Sequence, residues 1–112
     1  MNKCGFVGGK HYTTYIDYVR QLKRRGDLEL AEQLLKKLIP AVEAQAKVDG
    51  LGVPPWWYKQ LAIICAKKKD LPGELAILER YERQGALPGG WLNDDLANRL
   101  AKIRQKLNQN NE

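Results

Sequence analysis

The chain has 112 residues, a formal net charge of +6 and 44% hydrophobic residues, and its sequence pI is about 9.4. This length suits one domain with its own core and is too short for two. No run approaches the roughly 18 apolar residues of a membrane span, and the N-terminus lacks the continuous apolar segment of a signal peptide. We therefore expect a soluble cytoplasmic protein without a membrane partner.

The two cysteines lie in different settings. Cys4 belongs to a glycine-rich start, whereas Cys65 lies within the apolar run "LAIICA", where cysteine usually acts as a small buried hydrophobe. We therefore predict no disulfide, in keeping with a reducing compartment.

Apolar residues at three- and four-residue spacing predict two helices in the first half of the chain. The first runs from about residue 13 to 25 and ends at Gly26, which suits a left-handed cap. Asp27 is the expected N-cap of the second. Pro40 interrupts that helix, but the helix-prone residues after it predict a kinked continuation to about residue 48. The expected buried stripes are Tyr15, Tyr18, Val19 and Leu22, then Leu28, Ala31, Leu34, Leu35 and Leu38.

Three more helices are predicted in the second half. Residues 49–53 form a loop, and Pro54 and Pro55 suit the start of a helix because their missing N–H groups would be unpaired there. Asp70 begins a fourth helix that runs to about residue 84. Residues 85–90 form a connecting loop, and a fifth helix starts near Asn93 or Asp94. The expected buried residues are Trp57, Tyr58, Leu61, Ile64, Cys65, Leu75, Leu78, Tyr81, Leu96, Leu100, Ile103 and Leu107.

A shift of 43 residues aligns the two halves, so that Tyr15 meets Tyr58 and Asp27 meets Asp70. Each half is a predicted helical hairpin with an aromatic residue early in its first helix. With a Gly-Asp turn and an alanine after it, the first half resembles the tetratricopeptide repeat. The matching residues are Tyr15, Val19, Leu22, Gly26, Asp27, Ala31, Leu35 and Leu38. The second half carries Lys69 and Glu74 where the repeat has the turn glycine and the alanine.

This resemblance implies an all-α fold, a right-handed stack of two tetratricopeptide-like helical hairpins plus a C-terminal capping helix. We expect one domain over residues 12–108, after a flexible glycine-rich leader at residues 1–11 and before a polar tail at residues 109–112. In such a stack the first helix of each hairpin lines the concave face.

A closer resemblance covers about residues 9 to 83. "GGKHYTTYIDYVRQLKRRGDLELAEQLLKKL" and "GLGVPPWWYKQLAIICAKKKDLPGELAILERY" resemble a tetratricopeptide-like segment that follows other domains, such as HIRAN domains, in bacterial proteins. The shared pattern is HYTxYV followed by GVxPWxYxQLAII. The resemblance implies an adaptor role and a bacterial or phage source.

The residues with catalytic side chains do not form a recognisable site. The one histidine, His11, has no Cys or His at metal-ligand spacing, so a capping or packing role is expected. "CGFVGGKH" at residues 4–11 differs from a phosphate loop at Cys4 and His11, and no strand precedes it. Asp94 and Asp95 suit the start of a helix. We predict no enzyme activity, no catalytic residue, no cofactor and no metal site.

Positive charge is concentrated in the first helix of each hairpin. Residues 1–26 carry six basic and one acidic side chain, and residues 51–70 carry four and one. A concave face built from these helices would carry Arg20, Lys23, Arg24, Lys59, Lys67 and Lys68, which indicates an anionic ligand. The alternative is that lysines and arginines in last turns only complement the helix dipole and solvate the surface. Arg20 and Lys59 lie outside last turns and favour a binding face.

Trp56 and Trp57 are consecutive and therefore point about 100° apart on a helix. We expect Tyr58 inside the hairpin, Trp57 in the seam next to Leu61, and Trp56 at the mouth of the groove with Lys59 nearby. An exposed tryptophan beside cations is typical of binding sites. The alternative is that Trp56 packs on the leader or on Trp91.

Three functions follow from the charge and the repeat. The first is a non-enzymatic adaptor that binds an acidic or extended protein segment through the basic first-helix face. The second is binding of a nucleic-acid backbone by the same face. The third is homo-oligomerisation through exposed repeat ends. The predicted partner-binding residues are Arg20, Lys23, Arg24, Trp56, Lys59 and Lys67.

Overall fold

The computed structural model describes residues 4–87 and 90–110, with side chains to residue 108. Its five helices are α1 Ile16–Arg25, α2 Leu28–Asp49, α3 Pro55–Lys67, α4 Leu71–Gly85 and α5 Asp94–Asn110. A short antiparallel hairpin, β1 Phe6–Val7 and β2 Lys10–His11, and a 3₁₀ turn Tyr12–Tyr15 precede them. The chain is mostly helical, as the sequence predicts. None of the helices in this part of the chain is long and apolar enough to cross a membrane.

Local sequence signals set the helix ends. Helix α2 continues through Pro40, as expected, and ends at Gly50 in the left-handed conformation (φ +67°). Helix α3 begins with Pro55 at its first position, where a missing N–H costs nothing. The Asp70 side chain accepts a hydrogen bond of 3.0 Å from the Gly73 amide and caps α4.

The turn between α1 and α2 recurs between α3 and α4. Gly26 ends the first helix with φ +79°, and Lys69, 43 residues later, adopts φ +58°. In both turns the amide of the following aspartate donates to the carbonyl oxygen five residues before it, at 2.9 Å and 2.8 Å. Among the described residues, Lys69 is the one non-glycine with positive φ. The repeat seen in the sequence therefore extends to the backbone of the two turns.

The core surrounds α3, which is buried on most of its sides and lies between α2 and α4. Helix α5 packs on the far side of α4, and α1 packs on α2. The predicted burial of Trp57, Tyr58, Leu61, Ile64 and Cys65 is confirmed. The stripes on the outer helices are narrower than predicted. The exposed fraction of Tyr18 is 49%, and Leu28, Leu34, Leu75 and Leu107 are only partly buried.

The segment before α1 differs from the flexible leader that the sequence predicts. Residues 6–11 form the hairpin β1–β2, which packs on α2. Gly8 and Gly9 supply the two positive φ angles of a two-residue turn, and the Tyr15 hydroxyl donates to the Val7 carbonyl oxygen at 2.8 Å. Glycine-rich sequence suits both a flexible leader and a tight turn, so composition does not separate the two.

Acidic side chains inside the fold are paired across helices. Arg80 of α4 binds both carboxylate oxygens of Glu43 of α2 at 2.7 Å, and the Tyr58 hydroxyl donates to the same carboxylate at 2.8 Å. Burial, followed by this hydrogen bond, raises the pKa of Tyr58 above its ordinary value. Glu74, which the shift of 43 residues aligns with Ala31, is buried, with Arg99 of α5 at 3.2 Å. Helix α5 thus supplies the opposite charge that a buried carboxylate requires.

Substitutions at Ile64 and Leu34 test this packing. Ile64 is fully buried, so Ile64→Asp is expected to cost more than about 4 kcal/mol and to abolish cooperative thermal unfolding. Leu34 is only partly buried, so Leu34→Asp is expected to cost about 1–2 kcal/mol and to leave the domain folded. Thermal melts followed by circular dichroism measure the loss of stability in both variants. Equal losses would contradict the assigned helix faces.

A second prediction concerns the backbone strain at Lys69, which a glycine would relieve. Lys69→Gly is expected to raise the free energy of unfolding by about 0.5–1 kcal/mol, because glycine adopts positive φ without a Cβ clash. Lys37→Gly, at an exposed position inside α2, should lower it by about 1 kcal/mol. Urea unfolding of the two variants measures both changes in the free energy of unfolding and shows whether they have opposite signs. A lower stability for Lys69→Gly would show that the turn carries no such strain.

Candidate anion-binding site

Two side-chain contacts form a seam between α1 and α3. The guanidinium of Arg20 lies 5.8 Å from the ring centroid of Trp56. One turn further along both helices, the Lys23 ammonium donates to Oε1 of Gln60. These two contacts follow the same order along α1 and α3, as expected of helices that run in the same direction. A surface depression lies along this seam.

The depression is open, has a volume of about 610 Å³, and is lined mainly by cations. Its lining residues are Asp17, Arg20, Lys23, Arg24 and Lys67. The one acidic side chain, Asp17, lies 3.9 Å from Arg20, and both side chains are largely exposed. A solvent-exposed contact of this length neutralises little charge. The depression therefore keeps a net positive charge, which suits an anionic ligand.

Lys23 is the lysine of the depression that a hydrogen bond holds in place. Its side chain is partly buried between α1 and α3, and its hydrogen bond to Gln60 leaves two ammonium protons for a ligand. Burial, followed by the charges of Lys67 and Lys59, lowers the pKa of Lys23 below its ordinary value. No carboxylate of the described residues pairs with Lys23 and offsets the repulsion by these like charges. A bound anion would relieve that repulsion.

Two of the three aromatic residues of α3 lie where the sequence predicts. Tyr58 is fully buried and Trp57 is 2% exposed. Trp56, which the sequence predicts to be exposed, is partly buried: its ring contacts Trp57 edge-on, with centroids 4.7 Å apart, and Arg20 lies over it. The Trp91 ring lies beside Gly52, where an added Cβ would be 2.8 Å from it. Trp56 therefore supports Arg20 at one end of the depression.

The structure brings together four of the six predicted binding residues, namely Arg20, Lys23, Arg24 and Lys67. Trp56 adjoins them through Arg20. Lys59 does not line the depression, because its ammonium binds Asp95 of α5 at 2.8 Å. It still acts on Lys23 through its charge.

Lys68 does not belong to the same basic face, contrary to the sequence-based expectation. Its ammonium binds the carboxylates of Glu29 and Glu32, in the first turns of α2. Lys68 lies at the end of α3, from which its side chain reaches the acidic start of α2. Charge counting along the chain cannot detect this pairing, because the partners are 36 and 39 residues away.

Gln60 is the site residue that the sequence analysis overlooked. It is 8% exposed and accepts the hydrogen bond of Lys23. Gln60 carries no charge, so the pattern of basic residues does not include it. The repeat offered a signal, because the shift of 43 residues aligns Gln60 with Asp17, which lines the depression.

Side chains with catalytic chemistry lie elsewhere in structural roles. Nδ1 of His11 accepts a 3.4 Å hydrogen bond from the Thr13 amide, so the predicted capping role is confirmed. Burial raises the pKa of the Cys65 thiol to about 11, which keeps it protonated. Within residues 4–87 and 90–108, no three His, Cys, Asp or Glu side chains gather as metal ligands.

The electrostatic coupling within the depression is testable at Lys23. Lys67→Gln is expected to raise the pKa of Lys23, because it removes a like charge that now disfavours the ammonium form. The charged form of Lys23 then persists to higher pH. A ¹³C NMR titration of lysine Cε atoms measures this, with Lys37→Gln as the control. An unchanged pKa in Lys67→Gln would contradict the proximity of the two ammonium groups.

Comparisons with known proteins do not extend this picture. No family model, no curated protein and no solved structure matches the chain. The resemblance to the tetratricopeptide repeat and to the bacterial segment that follows other domains therefore stays a prediction from the sequence. The geometry of the depression is the basis for a proposal about function.

Proposed function

We propose that the chain is a non-enzymatic protein-interaction module, a tetratricopeptide-like stack of two hairpins capped by α5. It binds an acidic, extended segment of a partner protein in the depression between α1 and α3. The observation that carries this proposal is the unneutralised cluster of Arg20, Lys23, Arg24 and Lys67. Trp56 and Gln60 support the cluster from α3.

Six of the fourteen described cations outside the depression are neutralised by ion pairs within the chain. Those in ion pairs shorter than 3.5 Å are Lys36, Lys59, Lys68, Arg80, Arg99 and Arg104. In the depression, Lys23, Arg24 and Lys67 make no ion pair with a described residue and line one surface together. The helix dipole accounts for Arg24 and Lys67, which lie in last turns. It does not account for Arg20, which lies mid-helix over Trp56.

The arrangement of the site suits carboxylates. Arg20 is held by its contact with Trp56, and Lys23 by its hydrogen bond to Gln60, so both lose less side-chain entropy when a ligand binds. A guanidinium binds a carboxylate through two parallel hydrogen bonds. The depression is open rather than enclosed. This shape favours an extended peptide over a small molecule, which would need a deeper pocket.

A nucleic-acid backbone is the second candidate, because the same cations and the net charge of +6 attract phosphates. Base stacking is disfavoured at Trp56, since Arg20 lies over the ring and Trp57 contacts it edge-on. Four phosphate contacts predict a log–log salt slope near −3.6, or a loss of affinity of roughly a hundredfold between about 50 and 200 mM salt. Because base stacking is disfavoured at Trp56, an acidic peptide is our first proposal and a nucleic acid the second.

Fluorescence polarisation with a labelled hexaglutamate peptide and with labelled single- and double-stranded oligonucleotides tests the proposal. The triple variant Arg20→Glu, Lys23→Glu, Lys67→Glu is expected to bind the peptide about thirtyfold more weakly, because three attractive charges become repulsive. The control Lys37→Glu, Arg83→Glu, Lys106→Glu changes the net charge equally, at exposed positions outside the depression. Circular dichroism verifies that both fold.

The outcomes separate the candidates. Peptide binding that fails in the site variant and survives in the control supports the adaptor proposal. Equal losses in both variants would show attraction by net charge alone, without a site. Tighter binding of an oligonucleotide, with the steep salt slope above, would replace the peptide by nucleic acid.

A further inference from the structure

Lys59 and Asp95 form an ion pair beside the depression. The Lys59 ammonium lies 2.8 Å from Oδ2 of Asp95, and the two side chains are 44% and 57% exposed. Lys59 belongs to α3, one turn after Trp56, and Asp95 lies in the first turn of α5. Lys59 is also the residue before Gln60, which accepts the hydrogen bond of Lys23, so the pair adjoins the cation cluster. A carboxylate of the chain itself is thus bound next to the proposed site.

Asp95 does not depend on Lys59 alone. Lys59 is the largest cause of the lowered pKa of Asp95, but Arg99 and Lys102 of α5 also lower it. These cations lie four and seven residues later on the same helix, where i,i+4 neighbours face each other. Asp95 can therefore turn away from Lys59 and keep cationic neighbours. Since both side chains are exposed, the pair itself adds little to stability.

We propose that Lys59 is a second carboxylate subsite of the same binding surface, which Asp95 occupies in the free protein. This inference rests on the proposed function. An acidic partner segment that fills the depression exchanges one of its own carboxylates for Asp95 at Lys59. Asp95 is then an internal competitor that lowers the affinity for acidic segments, and the full site extends from α1 across α3 to the start of α5.

Asp95 and its neighbour Asp94 make a matched test. Asp95→Asn removes the carboxylate from Lys59 and is expected to bind labelled hexaglutamate about three- to tenfold more tightly than the wild type. Asp94→Asn removes the same charge from the same helix turn, but Asp94 pairs with no cation of the described residues. It should change the affinity less than twofold. Adding Lys59→Gln to Asp95→Asn should cancel the gain, because the subsite itself is then lost.

A spectroscopic measurement on the wild type adds an independent readout. Asp95 and Asp94 carry ¹³C labels at their carboxylates, and unlabelled hexaglutamate is added at pH 7. The Asp95 resonance is expected to shift as its carboxylate leaves Lys59, whereas the Asp94 resonance stays nearly unchanged. This result does not depend on any variant and separates exchange at Lys59 from a general change in charge.

The failures of the two proposals are distinguishable. If the wild type binds the peptide and Asp95→Asn gains no more than Asp94→Asn, the subsite is overturned and the proposed function stands. If neither the wild type nor Asp95→Asn binds the peptide, both are overturned. A gain in Asp95→Asn that persists after Lys59→Gln would assign the effect to net charge and also overturn the subsite.

Discussion

The burial of α3 is the constraint on which the rest of the structure depends. Its apolar residues face α2 and α4 on most of its circumference, so the few polar side chains it carries must find partners on neighbouring helices. Tyr58 bonds to Glu43 of α2, Gln60 to Lys23 of α1, and Lys59 to Asp95 of α5. The first two contacts help to orient α2 and α1 on the central helix, whereas the exposed pair with Asp95 adds little to stability.

The candidate site follows from this arrangement. Because Arg20 and Lys23 of α1 contact α3, cations of α1 and Lys67 of α3 line one depression along this seam. The fold neutralises Lys68 with the acidic start of α2 and Lys59 with the start of α5. It leaves the seam between α1 and α3 positively charged. Helix packing thus places some cations of the chain in structural ion pairs and gathers four others on one open surface.

The repeat explains both the success of sequence reasoning and its omissions. Two hairpins could be predicted because matching patterns surround Gly26 and Lys69, and the structure shows that their turns share the same hydrogen bond and a positive φ. The pattern also marked the cations of α1 as one face. It contained no information about the partner of a given lysine, because a long flexible side chain reaches acids far away in sequence. Gln60 was missed for a related reason, since its role depends on Lys23 of another helix.

The sequence by itself determined the helical class and the helix ends, because prolines, glycines and capping aspartates act within a few residues of their own position. It also determined the burial of Trp57, Tyr58, Leu61, Ile64 and Cys65 in α3. Only the tertiary structure decided that residues 6–11 form a hairpin against α2, that Leu34 stays partly exposed, and that Asp95 binds Lys59. These features depend on contacts between distant segments, and such contacts arise when the helices pack.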